Sequence, residues 1–149
     1  MLFYGLRRTF AALARPAIIV HDLAQARAAL LAAAALEVPV ALRSAPGAAS
    51  YLGPAVFRAI IDAARAGGAD ADVVAVMDCG QDAGRALSAL RHGIERVRID
   101  LPPATVARIA DIATCYGAAV DDEDGPVLNL LNCPDPAAAC QKWLADAAK

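Results

Sequence analysis

The chain has 149 residues, of which 58% are hydrophobic and 20% are charged, and its formal net charge is -2. This length and composition fit one globular domain with a core of ordinary size, and they exclude a largely disordered chain. The near-neutral charge, without a long basic run, gives no electrostatic basis for binding nucleic acid.

The N-terminal residues and the cysteines indicate the cellular compartment of the protein. Apolar residues fall on one helical face of the first segment, which predicts an amphipathic helix over residues 1–15 that packs on the domain or on a partner. No apolar stretch is long enough to span a bilayer, and no signal-peptide core is present. The four cysteines form no CxxC pair. These features predict a cytoplasmic protein with free thiols and no membrane contact.

From residue 16 onward, short apolar runs alternate with helical patterns. Asp22 is placed to cap the first helix, Pro54 opens the second, and glycines follow the ends of several others. The predicted strands lie near residues 17–20, 38–42, 73–77, 97–99, 118–120 and 127–131. The predicted helices lie near residues 23–35, 54–66, 82–92 and 103–116, with a last helix from 135 or 136 that carries Trp143.

Strands alternating with helices of about 12 residues, joined by short connections, predict a parallel sheet with right-handed crossovers. The fold class is therefore α/β, with about five βα units. Two architectures fit: half of a TIM barrel, or an open, flavodoxin-like sheet with helices on both faces. We expect one domain over residues 1–149, with the βα units at 16–126 and a C-terminal strand and helix at 127–149.

Polar side chains follow the predicted strands, at the end where parallel α/β folds bind ligands. Clustered carboxylates near a histidine and a cysteine would suit a divalent metal, or would share a proton in acid–base chemistry. Asp78 stands out, because it directly follows five apolar residues. The full set is His21, Arg43 with Ser44, Asp78 with Cys79, Asp100, and the acidic residues 121–124.

Each of these residues also has a purely structural interpretation. His21 with Asp22 is more often a helix start, and Cys79 is more often a small buried filler than a ligand. An acidic run such as 121–124 is usually a solvated turn, and Asp100 is placed to cap the turn that follows it. Asp78 is the residue that a structural interpretation explains least well.

The loop after the second strand is a candidate anion site. Arg43, Ser44 and Gly47 precede a helix, and such loops offer backbone N–H groups to anions. The loop contains neither GxGxxG nor GxxxxGK[ST], so nucleotide binding has little support. The chain also contains no nucleophile elbow.

Several landmarks, taken in order, resemble one enzyme family. They are residues 20–30 (VHDLAQARAAL), 38–53 (VPVALRSAPGAASYLG), 74–82 (VAVMDCGQD), 89–100 (ALRHGIERVRID) and 120–125 (VDDEDG). This run is similar to the N-terminal half of the class II fructose-bisphosphate and tagatose-bisphosphate aldolases, over about residues 17 to 126. Those enzymes show an S-x-G-A-x-x-Y-x-G loop, then L-D-H-G at a strand end, and later V-E-x-E-x-G.

The resemblance implies roles for four residues. Asp78 matches the family's catalytic acid/base aspartate, and Cys79 stands where the family has its first metal-binding histidine. Ser44 lies in the substrate loop, and Glu123 matches an acidic residue near the metal. A full family member is an eight-stranded barrel, whose remaining zinc histidines and phosphate loop lie in a half that these 149 residues do not contain.

These observations lead to one leading hypothesis and one alternative. The first is an aldolase-like domain without the family's lyase activity, which binds a phosphorylated or carboxylated small molecule or a partner. It uses Arg43, Ser44, Gly47 and Glu123 for binding. The alternative is a metal-dependent lyase. Here Asp78 and Asp100 are the candidate catalytic residues, Cys79 is a weak candidate ligand for zinc, and a second subunit completes the site. An opened barrel also exposes an apolar wall, which favours a homodimer or a covering partner.

Overall fold

The computed structural model of the protein describes residues 15–149, so the predicted N-terminal helix lies outside the described residues. The six strands are β1 (Ala17–Ile19), β2 (Val40–Arg43), β3 (Val73–Asp78), β4 (Arg96–Arg98), β5 (Ala119–Val120) and β6 (Val127–Asn129). The five helices are α1 (Leu23–Leu36), α2 (Pro54–Ala66), α3 (Ala83–Arg91), α4 (Pro103–Cys115) and α5 (Pro136–Ala147), with a 3₁₀ turn at Ala48–Ser50.

The helices begin where local sequence signals place them. The Asp22 carboxylate accepts a hydrogen bond from the backbone N–H of Gln25 at 2.8 Å, and Asp82 and Asp135 cap α3 and α5 in the same way. Pro54 occupies the first turn of α2, where its missing N–H costs no hydrogen bond. None of the helices within residues 15–149 is both long and apolar enough to cross a bilayer.

Two predicted strand boundaries shift by two residues: the sixth strand ends at Asn129 rather than at residue 131, and the start of the second strand also moves. The second strand begins at Val40, two residues later than predicted, because α1 ends in a tight turn. Glu37 adopts a left-handed conformation with φ 54°, and the N–H of Val38 bonds back to the carbonyl of Ala33. Residues 38 and 39 therefore belong to the helix exit rather than to the sheet.

All six strands form a single parallel sheet with the order β5-β4-β3-β2-β1-β6, as the alternating pattern predicts. Each of the first four strands is followed by a helix, and β6 is followed by α5. The exception is the connection from β5 to β6, where residues 121–126 join two parallel strands without a helix. β5 and β6 are the two edges of the sheet.

The two faces of the sheet differ in what covers them. Residues from all five helices share one large core with one set of strand side chains, including Ile18, Leu42 and Met77. A second, smaller cluster contains strand residues only: Ala17, Ala41 and Val76, with Val74 and Val127 packed against them. The helices therefore lie on one face, as in a half barrel, and not on both faces as in a three-layer sheet. We call the helix-free side the inner face.

Three apolar side chains of the inner face are buried within a single chain. Val76 is 0% exposed, and Ala17 and Ala41 are 6% and 5% exposed, while Val74 and Val127 beside them are half-buried. This part of the apolar wall that the sequence predicts for an opened barrel is thus shielded without a second copy. Homodimer formation remains a prediction, but covering these three side chains does not require it.

Candidate functional site

Alternation along the strands separates buried core residues from a polar set on the inner face. In β4, Val97 enters the main core while Arg96 and Arg98 do not. In β2 and β3, Leu42 and Met77 enter that core, whereas Arg43 and Asp78 follow inner-face residues at a spacing of two. The inner face is therefore apolar near the start of the strands and charged near their carboxyl ends.

One ion pair joins strand ends that are not neighbours in the sheet. A guanidinium nitrogen of Arg43, at the end of β2, lies 3.6 Å from a carboxylate oxygen of Asp121, which follows β5. The backbones of these two strands are separated by three strand spacings, or about 14 Å. The two side chains therefore reach towards each other across the inner face.

Asp78 ties the loop after β2 to the end of β3. Its Oδ1 accepts hydrogen bonds from the backbone N–H groups of Gly47 at 2.9 Å and Gly80 at 3.0 Å. The N–H of Asp78 in turn donates to the hydroxyl of Ser44 at 2.9 Å. Gly47 and Gly80 have φ values of 67° and 56°, which L-residues with a side chain rarely adopt, so the geometry depends on glycine at both positions.

These contacts change the interpretation of the loop. The N–H of Gly47 was predicted to bind an external anion. It donates instead to the carboxylate of Asp78. Ser44 is 1% exposed and acts as a link between β2 and β3. Asp78, Ser44 and Gly47 do lie together, as predicted, and they form a preorganised strand-end turn.

Next to this turn lies an arginine–aspartate cluster, which we define as Arg43, Arg96, Arg98 and Asp121. The Asp121 side chain is only 4% exposed and faces three guanidinium groups, at 3.6 Å, 3.8 Å and 2.8 Å from Arg43, Arg96 and Arg98. Arg98 also donates to the backbone carbonyl of Glu123 at 2.7 Å. The cluster holds the β5–β6 connection against the inner face.

Two pKa shifts follow from this crowding. Burial lowers the pKa of Arg43, and the neighbouring Arg98 guanidinium lowers it further, while Asp121, Asp78 and Glu123 act in the opposite direction. Burial would also lower the pKa of Arg98, but its hydrogen bonds and charge interactions with Asp121 and Asp124 raise it overall. Arg43 also has a buried Nε without a hydrogen-bond partner among the described residues.

Asp100 touches the Asp78 turn through its backbone. Its N–H donates to the carbonyl of Gly80 at 2.8 Å, while its exposed side chain accepts a hydrogen bond from Gln81 at 3.2 Å. Among residues 15–149, the side chains of Asp100 and Asp78 share no hydrogen bond. Glu123 lies 3.7 Å from Arg96 and so borders the arginines of β4.

The sequence alone did not single out Arg96, Arg98 or Asn129. It also did not indicate that Asp121 is a buried anchor. The signal was present in β4, where Arg96 and Arg98 flank a single valine. Charged side chains on alternate positions of a central strand indicate a polar face that the fold encloses. Asn129 ends β6 and accepts from His21, with 2.8 Å between the Asn129 Oδ1 and His21 Nε2 atoms. The two residues are 108 positions apart in the sequence, so no local sequence pattern indicates that they pair.

One sizeable cavity lies away from this turn. It has a volume of about 620 Å³ and lies beside the starts of β1 and β6 and the last turns of α5. Glu123 and Asp124 line it together with Arg15, Pro126 and Trp143. Glu123 thus borders a space at the amino-terminal end of the strands as well as the arginine cluster.

A comparison with known protein families matches most of this chain. The profile of class II fructose-bisphosphate aldolases matches residues 9–119. The chain belongs to this family. No curated protein matches the chain. The family match runs through β1 to α4 and stops at the start of β5, so the arginines of β4 lie inside it and Asp121, Asn129 and α5 lie outside it.

Membership of the aldolase family raises the question of a metal. Cys79, at the position the resemblance assigns to a ligand, is 3% exposed and lies in the main core, on the helix side of the sheet. Burial raises the pKa of its thiol to about 12, and the charges of Asp78 and Asp82 add to the shift. Among residues 15–149, no group of three or more His, Cys, Asp and Glu side chains is arranged to hold a metal ion. The described residues do not fit a zinc centre.

Proposed function

We propose that this member of the class II aldolase family binds a small, hydroxylated and anionic molecule on its inner face and does not by itself carry out metal-dependent aldol cleavage. One observation carries the proposal. Asp78 and Cys79 are adjacent, yet Asp78 belongs to the inner face while Cys79 is buried in the helix-side core. Asp78, which matches the family's acid/base aspartate, faces the inner face. Cys79, which matches the family's metal-ligand position, faces the opposite side.

The chemistry of the inner face supports binding. Oδ1 of Asp78 is occupied by two backbone N–H groups, whereas no described residue donates a hydrogen bond to its Oδ2. That oxygen is suited to accept from a ligand hydroxyl. Asp78 is directly paired with Arg98 in the sheet register, and guanidinium groups bind phosphate and carboxylate groups strongly.

A thermal-shift titration tests this proposal. We expect fructose 1,6-bisphosphate to raise the melting temperature, and inorganic phosphate to do so less, because it lacks hydroxyl groups for Asp78. Asp78→Asn should weaken binding at least about tenfold, since a charged hydrogen bond contributes roughly 1.5–3 kcal/mol. Asn retains an oxygen for the N–H groups of Gly47 and Gly80, so the turn should survive.

The matched control is Asp111→Asn, which removes an exposed carboxylate on α4, far along the chain from the turn. It should bind as the wild type does. A wild type that shows no stabilisation by either compound, or an Asp78→Asn variant with unchanged affinity, would contradict the proposal.

The alternative remains a metal-dependent lyase whose site is completed by a second subunit, with Asp78 as the general base. The family match and the position of Asp78 at a strand end favour it. Here we expect the purified protein to be dimeric, to contain zinc in a stoichiometric amount, and to cleave fructose 1,6-bisphosphate. A metal-free monomer that gains neither stability nor activity from added zinc would exclude this alternative.

A further inference from the structure

His21 and Asn129 form a pair whose hydrogen-bond directions can be assigned. The Oδ1 atom of Asn129 accepts from the backbone N–H of Leu131 at 3.0 Å, and a backbone N–H can only donate. The atom facing His21 is therefore the amide oxygen. Since this oxygen can only accept, the Nε2 of His21, at 2.8 Å, must be the donor. Neutral His21 thus carries its proton on Nε2, and its Nδ1 is an acceptor that no residue within 15–149 occupies.

Backbone contacts fix this pair in place. The N–H of His21 donates to the side-chain oxygen of Gln25, and the amide nitrogen of Gln25 donates to the carbonyl of Leu130. Gln25 is buried and so joins the end of β1 to the end of β6. His21 and Asn129 are thus held by hydrogen bonds that join the start of α1 to the ends of β1 and β6.

The pair lies on the inner face, on the same side as Asp78. Val20 and Leu130, which neighbour the two residues in sequence, both enter the helix-side core. Alternation therefore directs His21 and Asn129 to the opposite side. In the strand register, Ile19 pairs with Arg43, and Arg43 pairs with Val76. His21 lies two residues after Ile19, and Asp78 lies two residues after Val76. The two residues are therefore at the same level along the strand direction, with β2 between them.

We propose that His21 is a second ligand-binding residue of the inner face, which accepts a hydrogen bond from a ligand hydroxyl through Nδ1 while Asp78 accepts one through Oδ2. The backbones of the two residues are separated by two strand spacings, or about 10 Å. This spacing suits a short polyhydroxylated carbon chain lying across the end of β2. The inference rests on the proposed function and assigns it a second contact.

His92 provides an internal control for the tautomer. Its Nδ1 lies 2.8 Å from the carbonyl oxygen of Ser88, which can only accept, so Nδ1 carries the proton. The chain contains only two histidines. The structure therefore assigns opposite neutral tautomers to the two, with the proton on Nε2 in His21 and on Nδ1 in His92.

Long-range ¹H–¹⁵N NMR correlation of the intact, ¹⁵N-labelled protein at alkaline pH tests the assignment. We expect one histidine in each tautomer, and the pattern that disappears in His21→Phe should be the Nε2–H one. Asn129→Ala should remove the tautomer preference of His21, while Asn129→Asp, which keeps an acceptor, should restore it. His21 as the Nδ1–H tautomer would overturn the inference.

The second measurement is a titration with fructose 1,6-bisphosphate. His21→Phe should weaken binding about threefold to tenfold, the loss expected for one neutral hydrogen bond, and His92→Phe should leave it unchanged. Binding that is lost in Asp78→Asn but unchanged in His21→Phe would overturn this inference and leave the proposed function standing. Absence of binding by the wild type would overturn both.

Discussion

At the scale of single residues, Cys79 shows how neighbours in sequence acquire unrelated roles. Strand geometry turns it away from Asp78 and into the helix-side core, where it is 3% exposed. Burial disfavours the thiolate, and the carboxylates of Asp78 and Asp82 disfavour it further, so the pKa of the thiol rises to about 12. A thiol that stays protonated is a poor nucleophile and a poor metal ligand. Cys79 therefore behaves as a small apolar core residue.

Differential alkylation at pH 8 tests this description of Cys79. Cys115 is exposed, whereas Cys79 and Cys140 are buried and burial raises the pKa of both thiols. We expect iodoacetamide to modify Cys115 at least about tenfold faster than Cys79, because both access and thiolate fraction favour it. Mass spectrometry of peptides gives the rates, and unfolding in urea should equalise them. Equal rates in the folded protein would show that Cys79 is accessible, and the metal-site hypothesis would regain support.

At the scale of elements, the exit from α3 combines two constraints on one glycine. Gly93 has φ 78°, and a Cβ atom there would lie 2.2 Å from the Nη1 atom of Arg58. The same guanidinium donates to the carbonyls of His92 and Gly93, at 3.2 Å and 2.6 Å. Arg58 on α2 thus closes the carboxyl end of α3, and a side chain at position 93 would displace the end of Arg58 from these carbonyls. Gly117 after α4 also has positive φ, 68°, but open space around it.

The two glycines make a matched pair of substitutions. Gly117→Ala should destabilise the protein by about 1 kcal/mol, the cost of left-handed backbone for an L-residue. Gly93→Ala should cost about 2–3 kcal/mol, because Arg58 must also give up its hydrogen bonds. Urea unfolding followed by circular dichroism measures both changes. If the two variants were equally destabilised, Arg58 would have no role in holding this helix end.

These elements also show what local sequence does and does not encode. Asp22, Pro54 and Gly93 act within a few residues of their own positions, so the helix boundaries could be predicted from the sequence. The placement of Asp78, Ser44 and Gly47 together follows from strand order alone. The side to which Cys79 points follows from alternation along β3, once that strand is placed in the sheet. The pairing of Arg43 with Asp121 depends on how the β5–β6 connection meets the inner face, which no local pattern specifies. The His21–Asn129 pair requires knowing that β6 returns to lie beside β1.

At the scale of the whole molecule, one buried carboxylate connects strands that are not neighbours in the sheet. The β5–β6 connection carries Asp121 against three arginines that belong to two different strands, β2 and β4. Because the Asp121 side chain is 4% exposed, its charge is well shielded from water, and removing one partner of such a buried group is costly. The cluster therefore links β2, β4 and the β5–β6 connection across the inner face.

A double-mutant cycle between Arg43 and Asp121 measures this link directly. Arg43→Met and Asp121→Asn should each destabilise the protein, and their combined effect should differ from the sum by about 1 kcal/mol, as for residues in contact. A matched cycle pairs Arg43→Met with Asp124→Asn. Asp124 lies on the same connection, is 91% exposed and, among residues 15–149, pairs only with Arg98. This cycle should be additive within about 0.5 kcal/mol. Additivity in the first cycle would mean that Arg43 and Asp121 do not contact each other in solution, and that the end of β2 is not tied to the β5–β6 connection.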